Sequence, residues 1–312
     1  MAGPISEILS TTLKNYVADV AFDNIFNSHA LFFELKRRGA IKGFGGGERL
    51  VAPLEYATNA TVAAMGKAGQ INLTEQDVIS SAEYNWGLYG ASVVLFDYDL
   101  ERNKGDHQIV NLLEAKARNA IASVRQKLLT DTFATSQTVN GLLNWQSIFR
   151  STGTIGGIAQ STYAWWASQY NNTAEPLTVE DMFNMYNSTS GGSDNPNVVV
   201  TSQTLYEKYN SLLQANQRFT DSAMADAGFV TLKFHGANVI WDQQAIEDEM
   251  WFWNTKYLYL GAIPDHVKSF GVKPFEQMTS NGQLGRVSIV WFMAQYVATN
   301  RRRLGALDGR TA

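Results

Sequence analysis

The chain has 312 residues, a formal net charge of −4, 45% hydrophobic residues, only 17% charged residues and no cysteine. The lack of cysteine excludes disulfides, iron–sulfur clusters and cysteine zinc sites, and the mild negative charge gives no global field that draws the chain onto nucleic acid or anionic lipid. Charged residues fall below the usual quarter of a globular chain, which implies an exterior largely covered by partners, most simply further copies of the same chain.

The first residues lack the basic region and apolar core of a signal peptide, and no run of about 18 apolar residues is present to span a membrane. Residues 6–38 are predicted helical: Ile8, Leu9, Leu13, Tyr16, Val17, Val20, Ile25 and Phe26 recur at three- and four-residue steps, with Ser6 as cap. The segment ends in Lys36-Arg37-Arg38-Gly39, cations in the last turn followed by a C′ glycine. Four glycines, Gly43, Gly45, Gly46 and Gly47, then crowd five positions.

Strands are expected over 48–56 and 82–96, where Ala82, Tyr84, Trp86 and Leu88 alternate with Glu83, Asn85, Gly87 and Tyr89. Between them lie about 25 residues rich in Ala, Gly, Asn and Thr, too poor in bulky apolar side chains to build a core. This segment reads as the far end of a long hairpin that another surface must receive. A helix capped by Asp106 and running to about residue 134 follows, its stripe formed by Ile109, Leu113, Ala117, Ala120, Ile121, Val124, Leu128 and Phe133; at 1.5 Å per residue it spans roughly 40 Å. The turn sequences NGLLNWQ and GTIGGIAQ end it.

The second half alternates. Helices are expected at 178–186, capped by Thr178, and at 205–216; a buried strand at 195–202; two strands within 228–242 turning at Gly236-Ala237; and strands at 256–263 and 285–300. The last is apolar on both faces and reads as a strand inside a covered sheet. The order is a mixture of helix and strand without βαβ repetition or internal repeats.

The glycine cluster does not suit a phosphate cradle, which needs a strand before it and a helix after it; here the order is reversed, and a hinge or positive-φ turn is the better reading. His29, His107, His235 and His266 have no helical partner for a zinc site. No nucleophile elbow appears. Glu247-Asp248-Glu249 before MWFWNTKYLYL offers a glycosidase carboxylate pair beside aromatics, against the simpler reading of a solvated acidic loop. Trp165-Trp166 reads as a sugar platform, as buried packing or as an intersubunit contact. Arg301, Arg302 and Arg303 read as a phosphate patch, a solvated end or ion-pair partners for a neighbour, and Lys67 as an exposed lysine near the hairpin tip.

Several stretches, in this order, resemble tailed-bacteriophage major capsid proteins of the Hong Kong 97-like fold. GGGERLVAPLEYATNATV is similar to the first strand of that family's extended loop, and SAEYNWGLYGASVVLFDYDLERNKGDHQIVNLLEAKARNA to the return strand and spine helix. GTIGGIAQSTYAWWASQ with LTVEDMFNMYN resembles the passage into the axial domain, and GFVTLKFHGANVIWD a strand pair within it. The resemblance covers essentially the whole chain and implies an α+β fold. Its parts would be an N-terminal arm (1–39), an extended β-hairpin loop (40–102), a peripheral domain with the spine helix (103–150 with 284–312) and an axial domain (151–283).

It further implies a non-enzymatic virion protein without cofactors, assembled in the host bacterial cytoplasm into hexamers and pentamers of an icosahedral shell around double-stranded DNA, which it contacts without sequence specificity. Gly43, Gly45, Gly46 and Gly47 would be the hinge of the extended loop and Lys67 would lie near its tip. Trp165, Trp166, Arg301, Arg302 and Arg303 are candidate intersubunit contacts. Many relatives begin with a scaffolding segment of about a hundred residues; no such segment precedes the arm here, so a separate scaffolding protein is expected, with a portal protein and decoration proteins as further partners. Lysine–asparagine cross-linking is not carried over, because no acceptor motif is visible. The rivals are an encapsulin-type compartment shell and a carbohydrate-active hydrolase using Glu247 or Glu249 with the tryptophans.

Overall fold

The computed structural model describes residues 29–67, 69–98, 106–213, 232–268, 271–278 and 282–312. Most of the helix expected over 6–38 lies outside these residues; the described part is α1 (Ala30–Arg37). Its end follows from the sequence: Gly39 takes φ +63°, the Ala40 N–H donates to Leu35 O (2.8 Å) and the Gly39 N–H to Lys36 O (3.1 Å), a complete Schellman cap. Then come β1 (Ile41–Gly43), β2 (Arg49–Glu55), β3 (Ile79–Asn85), β4 (Gly87–Phe96) and the spine helix α2 (Asp106–Thr132), which buries Ala117, Ala120, Ile121, Val124 and Leu128 along one stripe.

The short helix α3 (Trp145–Phe149) leads into β5 (Thr154–Ile155), β6 (Ile158–Ala159), β7 (Gln169–Asn171) and β8 (Glu175–Pro176). Helix α4 (Val179–Thr189) starts with a capping box in which Thr178 and Asp181 bond each other's backbone N–H. After β9 (Val198–Thr201), Ser202 caps α5 (Gln203–Leu212), earlier at both ends than expected. Strands β10 (Leu232–Phe234) and β11 (Ala237–Trp241) join through His235 and Gly236, both at positive φ (46° and 88°), the primed turn that suits a two-residue hairpin. The chain ends with β12 (Met250–Trp253), β13 (Leu258–Ala262), α6 (Pro264–Lys268), β14 (Gly271–Val272), β15 (Glu276–Gln277), β16 (Gly285–Ala298), β17 (Gly305–Leu307) and β18 (Arg310–Thr311).

Among the described residues, two six-stranded sheets organise the fold. The peripheral sheet runs β1-β13-β16-β14, with β4 and β15 also paired to β16; the axial sheet runs β10-β11-β9-β12-β17-β7. This redraws the expected domain limits. Strands β13, β14 and β15 belong to the peripheral sheet, so the chain returns there after Trp253 rather than at residue 284, and β17 crosses back into the axial sheet. Hydrogen bonding to β16 on one side, and to β12 and β7 on the other, overrides any linear division.

Burial explains the apolar run VVVT of β9. Val198 and Val200 face the large core that contains Trp145, Trp251 and Trp253, whereas Val199 faces a second core under α4 and α5 with Met182, Tyr186, Leu205 and Phe252. A strand covered on both sides has no need of alternation. For β16 that expectation holds only from Ala294 onward; nearer its start one face is open, with Ile289 40% exposed.

Candidate functional site

The strand expected over 82–96 is two strands broken at Trp86. The first, β3, pairs antiparallel with β2 from Arg49↔Asn85 to Glu55↔Ile79, making the hairpin; the second, β4, pairs with β16. Alternation places Leu50, Ala52, Leu54, Ala82 and Tyr84 on the hairpin's buried face. This root is clamped to its own subunit. The Tyr84 hydroxyl donates to Ala298 O (2.7 Å), the Glu83 N–H to Gly156 O (3.0 Å), and Tyr56 stacks on Trp165 with ring centroids 5.0 Å apart. Gly156 has to be glycine: φ is +62°, and a Cβ there would stand 2.7 Å from that of Ala82.

Beyond Tyr56 the situation changes. No described residue from 57 to 78 is buried; Val62 is 83% exposed and Leu73 91%, with Met65 and Ile71 also in solvent. Local order comes from short-range bonds: the Thr61 and Thr74 N–H groups donate to Asn59 Oδ1 (2.9 Å) and Asn72 Oδ1 (3.1 Å) in Asx turns, and the Gly69 N–H donates to Gly66 O (3.0 Å). Lys67 stands exposed in this stretch. A second open apolar surface lies on the peripheral sheet, where Leu88 and Phe96 of β4 and Ile289 of β16 face solvent beside half-buried Val94, Val287, Trp291 and Met293. The alternation in LYGASVVLF carried the signal for this face.

The glycine cluster divides. Gly43 is the last residue of β1, paired in register with Ala262, while Gly46 and Gly47 take φ +95° and +112°. The flanks are tied, through Phe44 N–H to Ala262 O (2.9 Å) and Trp86 Nε1 to Gly47 O (2.9 Å). Gly45 has open space around it.

Two expected intersubunit contacts are corrected. Arg301 is 0% exposed: its Nε donates to Ile148 O (3.0 Å) and its Nη2 to Arg150 O (2.8 Å), capping the carbonyl end of α3. Trp166 is buried, with Nε1 on Ile155 O (2.9 Å). Fully buried side chains cannot reach a neighbour. Arg303 packs against Gly191, Trp165 is held by Tyr56, and Arg302 is exposed.

The acidic run is not a sugar site. Glu247 and Asp248 are exposed, but Glu249 is 2% exposed, and Trp251 and Trp253 are sealed in the core around Trp145. Glu249 Oε1 accepts from Gln146 Nε2 (2.7 Å) and lies 3.7 Å from Arg150 Nη2, which is 3.3 Å from Asp308 Oδ2; the Tyr170 hydroxyl donates to Asp308. Burial above all, with nearby Asp308, pushes the Glu249 carboxyl up to about 7. Among the described residues, no group of three or more His, Asp or Glu is placed to hold a metal ion, and no helix is long and apolar enough to cross a membrane.

No family model matches the chain, and no curated protein matches it by sequence. Solved structures do. The chain is similar to the cyanophage A-1(L) capsid asymmetric unit, with 14% identity over 86% of this chain and 90% of that one and a TM-score of 0.65. It is similar to the capsid of the native GTA particle, with 11% identity, 89% and 90% coverage and a TM-score of 0.60. It also resembles the holo-SrpI encapsulin complex from Synechococcus elongatus, with 10% identity, 87% and 85% coverage and a TM-score of 0.53. The chain has the Hong Kong 97-like capsid fold.

Proposed function

We propose that the chain is a major capsid protein whose copies form hexamers and pentamers of an icosahedral shell enclosing phage double-stranded DNA, assembled in the bacterial cytoplasm and retained in the virion. One observation carries this reading: none of the described residues of the distal hairpin from 57 to 78 is buried, while its apolar side chains stand in solvent. The open peripheral-sheet face at Leu88, Phe96 and Ile289 is a second unsatisfied apolar surface on the same molecule. Two different patches that complement each other make a head-to-tail contact, which closes into rings when the rotation allows. Each contact is modest; closure and multivalency make the assembly stable.

In this reading Gly46 and Gly47 form the turn from which the loop departs, DNA is met through its backbone on the inner face, and a separate scaffolding protein, a portal and decoration proteins are the partners. The subunit performs no chemistry and needs no cofactor. Negative-stain microscopy of the expressed protein, alone and with a candidate scaffold, tests it: capsomer rings or closed shells are expected, and a permanently solitary subunit refutes it. The similarity to an encapsulin supports an enzyme-filled compartment as the second reading; nuclease-resistant DNA inside purified particles favours the capsid, a protein cargo the compartment.

A further inference from the structure

Strand β4 is an edge strand among the described residues: it pairs with β16 on one side and with no other strand. In an antiparallel pair, alternate residues aim both backbone groups away from the partner. Two contacts fix which residues those are. The Leu88 N–H donates to Asn140 O (3.1 Å), and Val94 O accepts from Lys116 Nζ (2.8 Å), so the even-numbered residues face outward. Among the described residues, the N–H and C=O of Gly90 and Ser92 and the N–H of Val94 then lack a partner. The edge opens onto a groove of about 410 Å³ between β4 and the spine helix, lined by the small side chains Ala91, Ala115, Ala120 and Ser123 together with the longer Asn119 and Lys116. Open edges of this kind are templates for a further strand, and a lysine covering one is a common guard.

We infer that this groove receives residues 70–75 of a second copy as an added β-strand, an inference that rests on the proposed shell function and names one of its contacts. The chemistry of the segment fits the groove. It has no ladder hydrogen bonds of its own, and exposed Ile71 and Leu73 alternate with Asn72 and Thr74 at the two-residue period of a strand. Ile71 and Leu73 turn toward the alanine-lined wall of α2, and Glu75, on the same face, meets the ammonium of Lys116, which exchanges Val94 O for the carboxylate. The Asx turn at Asn72 is given up for ladder bonds to Gly90 and Ser92. Backbone bonding supplies attraction and the small-residue wall supplies selectivity, the division seen in strand-addition recognition generally.

The chain has no cysteine, so introduced pairs report cleanly. Ser92→Cys is combined in turn with a cysteine at each of positions 71 to 75, the particles are assembled and oxidised, and subunits are separated without reductant. The Ser92 side chain points away from the helix, so linkage is expected with Asn72→Cys or Thr74→Cys and not with Ile71→Cys, Leu73→Cys or Glu75→Cys, giving a ladder of covalently joined subunits. Lys116→Glu is expected to abolish the ladder and Glu75→Lys to restore it. Assembled particles without linkage at any position, or with equal linkage at all five, overturn the strand addition and leave the shell function standing. Absence of rings and shells in the unsubstituted protein overturns both.

Discussion

Replacing Glu249 by Gln isolates the energetic consequence of burying a carboxyl group beside Asp308. The folded-state value of about 7 stands against an ordinary 4.5, so the fold holds the protonated form more tightly than the unfolded chain does. The associated stability is fully present below about pH 4.5, falls as the pH rises toward 7 and stays lost above it. A shift of some 2.5 units at 1.36 kcal/mol each corresponds to about 3 kcal/mol. Gln keeps the size and the acceptor for Gln146 Nε2 but carries no proton, so its advantage over the parent should grow from near zero at pH 4.5 to about 3 kcal/mol at pH 7.5. Guanidinium unfolding of unassembled subunits between pH 4.5 and 8 measures it, with slopes compared to confirm an unchanged unfolded state. Stability curves that run parallel for the two proteins would refute the assignment of a buried proton to this carboxyl.

Other substitutions separate the roles of the remaining parts. Arg301→Ala removes the guanidinium donor from the carbonyls of Ser147 and Ile148 and leaves Arg150 O with the Ser168 hydroxyl alone, and subunit stability should fall by about 3 kcal/mol, read from the unfolding midpoint. Gly156→Val combines a φ of +62° with collision against Ala82 and Tyr84; a loss of about 2–3 kcal/mol, with raised hydrogen exchange in β2 and β3, is expected. Leu73→Asp changes a side chain that is 91% exposed, so the melting temperature should hold within about a degree while ring formation falls. Tyr56→Ala removes the stack on Trp165 and should extend protease sensitivity from the tip down into the hairpin root, with the spine helix still protected.

Local rules were legible wherever a short piece of chain decides its own structure. The stop at Gly39, the Thr178 cap, the spine helix and the 57–81 stretch without a core all follow from spacing and composition, and the last of these points directly at the candidate assembly surface. What stayed hidden depends on partners distant in sequence. The break at Trp86 exists because β3 bonds to β2 while β4 bonds to β16, a division no window of adjacent residues contains. Arg301 looked like surface charge because three arginines in a row usually are; only the carbonyls at the end of α3, some 150 positions earlier, reveal it as a buried cap. Glu249 and Trp251 share a sequence neighbourhood but not a cleft, since the backbone turns the tryptophan inward to the aromatic cluster. The root clamp at Tyr56 and Gly156 needed the fold itself, as each residue alone reads as an ordinary loop or strand end.

The placement of β17 between β12 and β7 has a consequence for how the molecule is made. During synthesis β7 (Gln169–Asn171) has no strand partner until Gly305–Leu307, more than 130 residues later, has been made. A prematurely terminated product would carry two raw strand margins and no finished axial lobe.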